Sequence, residues 1–137
     1  MKQELLATIA AVPNFVAYLV FCYLLSWLFV AIYIRFTPYR EVSLIRGGNV
    51  AAALSLGGAL LGFIASLSSV VVHSGGVVDL IFWSGIALVV QILTFTTLRF
   101  AIPEMVAGIE KGETAHGALL GIVSLGSGIL CAACVTP

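Results

Sequence analysis

The clearest chemical potential in this sequence lies in two cysteines near its end. Cys131 and Cys134 are three residues apart and therefore share one face of a helix. A CxxC pair can carry out thiol–disulfide exchange in an oxidising compartment. Membrane proteins that generate disulfides relay electrons through a second cysteine pair, whereas the only other cysteine here is Cys22. We therefore favour packing of a helix end by these two thiols, and keep redox chemistry as an alternative.

A glutamine and a threonine inside an otherwise apolar stretch form the second candidate. Gln91 and Thr94 share a helical face. Such polar side chains in a membrane either bond to a neighbouring helix or line a permeation pathway, and interhelical bonding is the more common role. Two cysteines are too few for a tetrahedral zinc site, and neither histidine is spaced to complete one. We predict no metal, no cofactor and no catalytic residue, so the chain is not expected to be an enzyme.

The composition identifies the solvent that surrounds these residues. Of the 137 residues, 61% are hydrophobic and 9% are charged, with a mean hydropathy of +1.19. Soluble domains carry about 25% charged and roughly 45–50% apolar residues, and a small soluble domain cannot bury so much apolar surface. The lipid bilayer is therefore the expected partner. Net charge is zero, so no basic surface predicts binding to nucleic acid.

Four uncharged stretches cover residues 15–34, 50–72, 80–98 and 117–137. A helix needs about 20 apolar residues to cross roughly 30 Å of hydrocarbon, and a barrel would show alternation instead. The pattern predicts transmembrane helices at about 14–36, 49–72, 77–100 and 115–135. The absence of Asp, Glu, Lys and Arg from the four stretches argues against a proton-coupled transporter.

Charged residues collect in the first and third gaps between the spans. Five of the six basic residues lie there, namely Arg35, Arg40, Arg46, Arg99 and Lys111. The positive-inside rule makes that side cytoplasmic and predicts extracytoplasmic N- and C-termini. Each gap has a proline suited to a first helical turn, Pro38 or Pro103, and a glycine suited to a helix end, Gly47 or Gly112. We predict a short interfacial helix in each gap, and Asn49 as the N-cap of the second span.

Shifting the chain by 64 residues aligns its two halves. Identical pairs cluster in the charged gaps and the even-numbered spans, among them Arg35/Arg99, Phe36/Phe100, Ile45/Ile109, Gly48/Gly112, Gly57/Gly121 and Gly62/Gly126. We infer a duplication with one helical hairpin in residues 1–73 and another in 74–137. Because each half holds two spans, the halves point the same way in the membrane. The predicted fold is an all-α membrane protein with four transmembrane helices in two parallel-repeat hairpins.

Small residues form stripes on the second and fourth spans. Gly58 and Gly62 make one GxxxG motif, Gly117 and Gly121 make another, and Gly128 extends the second. Small residues let helix backbones approach closely in lipid, so these two spans are expected to form the inner pair. The first span is bulky and aromatic, which favours a lipid-facing position for its rings, including Phe29 and Tyr33.

Four segments of the chain resemble the YjfL-like family of bacterial inner-membrane proteins, catalogued as domain of unknown function 350. They are Thr37–Pro38, Asn49–Ala53, Gly85–Gln91 and Ala132–Cys134. The resemblance implies a multi-pass protein of the bacterial inner membrane, and the family is associated in gene context with envelope-stress systems. It brings no catalytic residue. Cys131 departs from the family pattern, in which we expect asparagine before the terminal Ala-Ala-Cys.

Three functional hypotheses follow from these features. We favour a non-enzymatic inner-membrane protein that assembles as a homo-oligomer or with membrane-stress proteins. A small oligomeric channel, lined by Gln91 and Thr94, is the first alternative. A membrane thiol–disulfide protein that uses Cys131 and Cys134 is the second.

Overall fold

A computed structural model describes residues 1–135 and consists of six helices joined by short turns. They are α1 (Lys2–Phe36), α2 (Glu41–Arg46), α3 (Val50–His73), α4 (Val77–Ala101), α5 (Met105–Glu110) and α6 (Thr114–Val135). Within the described residues, α1, α3, α4 and α6 are long and apolar enough to cross a membrane. The predicted all-α fold with four spanning helices is confirmed. Residues 136 and 137, at the end of the fourth uncharged stretch and of the second predicted hairpin, lie outside the described part of the chain.

The first helix is longer than the sequence predicted. It begins at Lys2 rather than at about residue 14 and continues through Pro13 for 35 residues. At about 1.5 Å per residue it exceeds the roughly 30 Å of bilayer hydrocarbon. The early start has a local cause, because Leu5, Leu6 and the alanines that follow are good helix formers, and Glu4 lies in the first turn, where a negative charge is favourable.

The two charged gaps contain the predicted short helices, α2 and α5. Their first residues, Glu41 and Met105, follow the prolines by two or three positions, so the prolines lie before the helices rather than in their first turns. The turns that follow depend on Gly48 and Gly112, whose φ angles are 87° and 81°. Only glycine adopts this left-handed conformation without strain. Gly47 caps the end of α2 as predicted, and Gly48 then turns the chain into α3.

Helices α3 and α6 make the most extensive contact of any two helices. The contact pairs advance together along both helices, from Ala51 against Gly117 to Ser69 against Ala132. The two helices are therefore parallel neighbours. Asn49 caps α3 as predicted, because its Oδ1 accepts a hydrogen bond from Ala52 N at 3.0 Å. Its Nδ2 donates to Ile109 O at 2.7 Å, which places the two charged gaps at the same end of the bundle.

Aromatic side chains attach α1 to this bundle. Phe29 stacks on Phe63 of α3, with ring centroids 4.4 Å apart, and Tyr33 meets Phe95 of α4 edge-on at 6.2 Å. Phe29 and Tyr33 are the buried residues of α1, and most of its other side chains are exposed. The expectation that all the aromatic residues of α1 face lipid was wrong for these two, because the hydrophobic pattern of a membrane helix does not distinguish lipid from protein contact.

Candidate functional site

The five glycines of the predicted stripes lie in the contact between α3 and α6. A Cβ atom on Gly58 would overlap the backbone of Gly121, and one on Gly128 would overlap Gly62. Gly117 lies equally close to the backbone of Ala51. By contrast, Gly57 and Gly126, on the same two helices, have open space where a Cβ would be. The stripes therefore allow the two backbones to touch, whereas the other two glycines have no such role.

This close approach brings backbone carbonyls within reach of side chains on the opposite helix. Ser66 donates a hydrogen bond to Gly128 O at 2.9 Å and also to Gly62 O at 3.2 Å. One turn further along, Ser69 donates to Ala132 O at 2.9 Å. We call the interface formed by these serines and the five glycines the α3–α6 seam. Its serines were missed by the sequence analysis, although they continue the Gly58–Gly62 stripe at helical spacing.

Gln91 connects α4 to the seam. It is 1% exposed, and its Nε2 donates to Ser124 O of α6 at 3.0 Å. The same nitrogen would lie 2.6 Å from a Cβ on Gly62 of α3, so three helices meet at this amide. Gln91 Oε1 and Ser124 Oγ have no hydrogen-bond partner in the described chain. The amide therefore makes the interhelical bond that its position predicts, and leaves one acceptor unsatisfied.

Thr94 does not join Gln91. Its hydroxyl donates to Val90 O at 2.8 Å, within α4, and the side chain is half-buried. The two side chains therefore bond to different elements: Gln91 to another helix and Thr94 to its own. Such back-bonding satisfies a hydroxyl in lipid without a partner helix.

The cysteines are free thiols. Cys131 is half-buried against the core, and Cys134, one turn later in α6, is exposed. Cys22 is half-buried on α1. Both terminal cysteines lie within the continuous helix α6, which ends at Val135. Among residues 1–135, no three His, Cys, Asp or Glu side chains come together as they would to bind a metal ion.

Comparisons with known proteins identify a family and two relatives. Residues 6–135 match the model of a family described as Domain of Unknown Function (DUF350). The chain is also similar to the UPF0719 inner membrane protein YjfL of Escherichia coli strain K12, with 39% identity over 109 residues, 80% of this chain and 83% of the relative. The protein of the same description from Escherichia coli O157:H7 has the same identity and coverage. No solved structure matches the chain.

The α3–α6 seam predicts opposite effects for two adjacent glycines. Gly58→Ala should lower the free energy of unfolding by about 1–3 kcal/mol, the usual cost of overpacking, because the added methyl overlaps Gly121. Gly57→Ala should be neutral or raise it by up to about 1 kcal/mol, since alanine is the better helix former and space is free. Denaturing-detergent titration of both variants measures the difference. Equal stability of the two variants would contradict the seam.

The Gln91 bond predicts a small change in stability with no change in permeability. Gln91→Leu removes the donor to Ser124 O and should lower the free energy of unfolding by about 0.6 kcal/mol, the average for interhelical bonds in membranes. Thr94→Val is the matched control on the same helix, because its hydroxyl bonds only within α4. Unfolding titration and ion flux into liposomes are measured on both. Normal stability with altered flux for Gln91→Leu would instead indicate a pathway.

Proposed function

The chain belongs to the DUF350 family, and we propose that it is a non-enzymatic, multi-pass protein of the bacterial inner membrane that acts by self-association. Its Escherichia coli relatives are described as inner membrane proteins, which supports this location, and the four apolar helices are consistent with it. The envelope-stress association of the resembling family makes membrane-stress proteins the proposed further partners. The proposal is one of assembly rather than catalysis.

The observation that carries self-association is the loose attachment of α1. Apart from Phe29 and Tyr33, its side chains are exposed or half-buried along 35 residues, whereas α3 is the most extensively buried of the spanning helices. Helices in lipid associate through van der Waals packing and hydrogen bonds. A helix with so little packing inside its own bundle has most of its surface free for a second copy.

A groove between α1 and α3 offers the matching surface. It encloses about 860 Å³ and is lined almost entirely by apolar side chains, including Leu19, Tyr23, Trp27, Leu60, Ile64 and Val71. Tyr23 and Trp27 are 62% and 74% exposed. We propose that the α1 helix of a second copy packs against this groove. A groove of this shape lets a second helix make van der Waals contacts along its length, which is one way helices associate in lipid.

A small oligomeric channel is the less favoured of the functional hypotheses for this bundle. The central polar residue that would line it, Gln91, is buried and bonded to Ser124 O. Its amide is thus occupied in holding α4 to α6. The self-association that we propose through α1 leaves the bond between Gln91 and Ser124 intact, and it does not require a pore lined by polar side chains.

Matching helices in the two halves of the chain are separated by a constant spacing. Helices α2 and α5 begin at residues 41 and 105, and α3 and α6 begin at residues 50 and 114, so each pair is 64 residues apart. The left-handed glycines Gly48 and Gly112 have the same spacing. We propose that a duplicated helical hairpin produced both halves. The parallel course of α3 and α6 supports a pseudo-twofold axis along the membrane normal.

Orientation is part of the proposal. The Asn49–Ile109 bond brings the gaps that contain α2 and α5 to one end of the bundle, and five of the six basic residues lie in or beside those gaps. The positive-inside rule then assigns that end to the cytoplasm and both termini to the other side.

Reporter fusions test this topology. Alkaline phosphatase fused to the C-terminus should be active and a fluorescent protein at the same place should be dark, because phosphatase folds only outside the cytoplasm. A fusion after Lys111, in the basic gap, serves as the control and should give the reverse pattern. An inactive phosphatase together with a bright fluorescent protein at the C-terminus would place the C-terminus in the cytoplasm and contradict the proposed topology.

Self-association is tested with two exposure-matched double variants. The wild-type chain released from lipid nanodiscs should have at least twice the mass of a single chain, which is 14.4 kDa. Tyr23→Ala/Trp27→Ala removes two rings from the groove and should shift the population to monomer by tenfold or more. Phe82→Ala/Phe100→Ala removes rings that are 62% and 79% exposed on α4 and should leave the mass unchanged. Native mass spectrometry measures both; a monomeric wild type would refute the proposal.

A further inference from the structure

A carboxyl group is enclosed at the end of the bundle where α2 lies. Glu41 is the first residue of α2 and is 1% exposed. Neither of its carboxyl oxygens makes a hydrogen bond of ordinary geometry within the described chain, and no ion pair among those residues includes it. Burial of an unpaired carboxylate costs several kcal/mol or more, so such a group is either neutralised or takes part in a function.

Two tyrosine hydroxyls interact with this carboxyl. The Tyr33 hydroxyl, on α1, interacts with Glu41 electrostatically and has no hydrogen-bond partner in residues 1–135. The Tyr39 hydroxyl, just before α2, faces both Glu41 and Ser55 of α3, the latter at 3.5 Å. Phe95 of α4 closes the group, with its ring 6.2 Å from Tyr33 and 6.4 Å from Tyr39. An unpartnered hydroxyl and an unpartnered carboxyl therefore share one enclosure.

The charged neighbours do not neutralise Glu41. Arg35, Arg40 and Arg46 are exposed and form no ion pair with it in the described structure. Glu110 of α5 is a further acidic group, whose charge acts on Tyr39. Burial raises the pKa of Glu41 to about 7, although its interaction with Tyr39 lowers it. Burial and the charge of Glu41 also raise the pKa of Tyr39, so this tyrosine stays protonated at neutral pH.

The second half of the chain shows that packing alone does not require a carboxyl here. The residue 64 positions after Glu41 is Met105, which is the first residue of α5 and 0% exposed. Two short helices thus begin with a fully buried side chain, one apolar and one ionisable. Because replacing a buried charge by a well-packed apolar residue is often stabilising, Glu41 is costly where methionine serves the same position.

We propose that Glu41, together with the hydroxyls of Tyr33 and Tyr39, forms a proton-binding site at the junction of α1, α2 and α3. The proton comes from water and forms an O–H bond on the carboxyl; deprotonation returns it to water and leaves a carboxylate. A cavity of about 350 Å³ borders Glu41 and includes Arg35, Thr37 and Arg40 in its lining, which gives water a route to the group. The ligand is a proton and the site is independent of self-association.

Protonation is linked to the packing of α2. In the unfolded chain Glu41 titrates near its ordinary pKa of 4.5, and in the folded chain near 7. The folded state thus binds the proton more tightly, so the contribution of Glu41 to stability is greatest below about pH 4.5, declines as pH rises, and levels off above about pH 7. At high pH the carboxylate favours release of α2 from the bundle toward water.

Infrared spectroscopy of the full chain in lipid nanodiscs tests the site. The other carboxyl side chains, Glu4, Asp79, Glu104, Glu110 and Glu113, are all exposed. The wild type should show one protonated-carboxyl band that persists at pH 6 and disappears with a midpoint of about 7. Glu41→Gln and Glu41→Met should lack the band. Tyr39→Phe should raise the midpoint, since the Tyr39 interaction favours the carboxylate.

Three results would overturn the proposal: no such band in the wild type at pH 6, an identical band in Glu41→Gln, or a midpoint that moves when sodium replaces choline at constant ionic strength. The last result would identify a metal cation in place of the proton.

Thermal unfolding gives a second readout. The wild-type melting temperature should fall between pH 5 and pH 8, while that of Glu41→Met should stay constant over the same range. Parallel pH dependence of the two proteins would contradict the linkage.

Discussion

The backbone contact between α3 and α6 positions the other parts of this molecule. Gly58 against Gly121 and Gly62 against Gly128 bring the two helices closer than any side chain would allow. In lipid there is no hydrophobic force to drive such contact, so the packing of backbone atoms and the hydrogen bonds of Ser66 and Ser69 to opposing carbonyls stabilise it. Helix α4 then joins through Gln91, and the short helix α5 joins through Asn49.

Two kinds of polar group contrast in this bundle. Ser66, Ser69, Asn49 and Gln91 each donate to a backbone carbonyl on another element, which is how a membrane protein satisfies polar groups that water cannot reach. Glu41 has no such partner and lies among tyrosine hydroxyls. The first kind holds helices together at small cost. The second is an ionisable group in a position where burial of an apolar side chain would cost less free energy. Ionisable groups with perturbed pKa values are concentrated at functional sites.

Helix α1 differs from the other spans in how it is held. Two stacked aromatic residues, Phe29 and Tyr33, attach its C-terminal half to α3 and α4, and its N-terminal half is exposed along its length. This division places the proposed contact with a second copy on one side of the bundle and the enclosed Glu41 at its end. Since Tyr33 belongs to the enclosure and Trp27 to the groove, both features are built on adjacent turns of the same helix.

The sequence by itself determined the number of spans, the two short helices and the small-residue stripes, because these depend on local hydropathy, proline and glycine spacing. It did not determine where α1 begins, since helix propensity continues beyond the part needed to cross the bilayer. Nor did it indicate that Phe29 and Tyr33 are buried, because lipid and protein interiors are equally apolar. Only the tertiary structure placed Glu41 inside. Its position in a charged gap, between Arg40 and Arg46, is that of a solvated surface residue. In the folded chain Tyr39 lies beside it, and Tyr39 in turn packs against Ser55 and Phe95, which are distant in sequence.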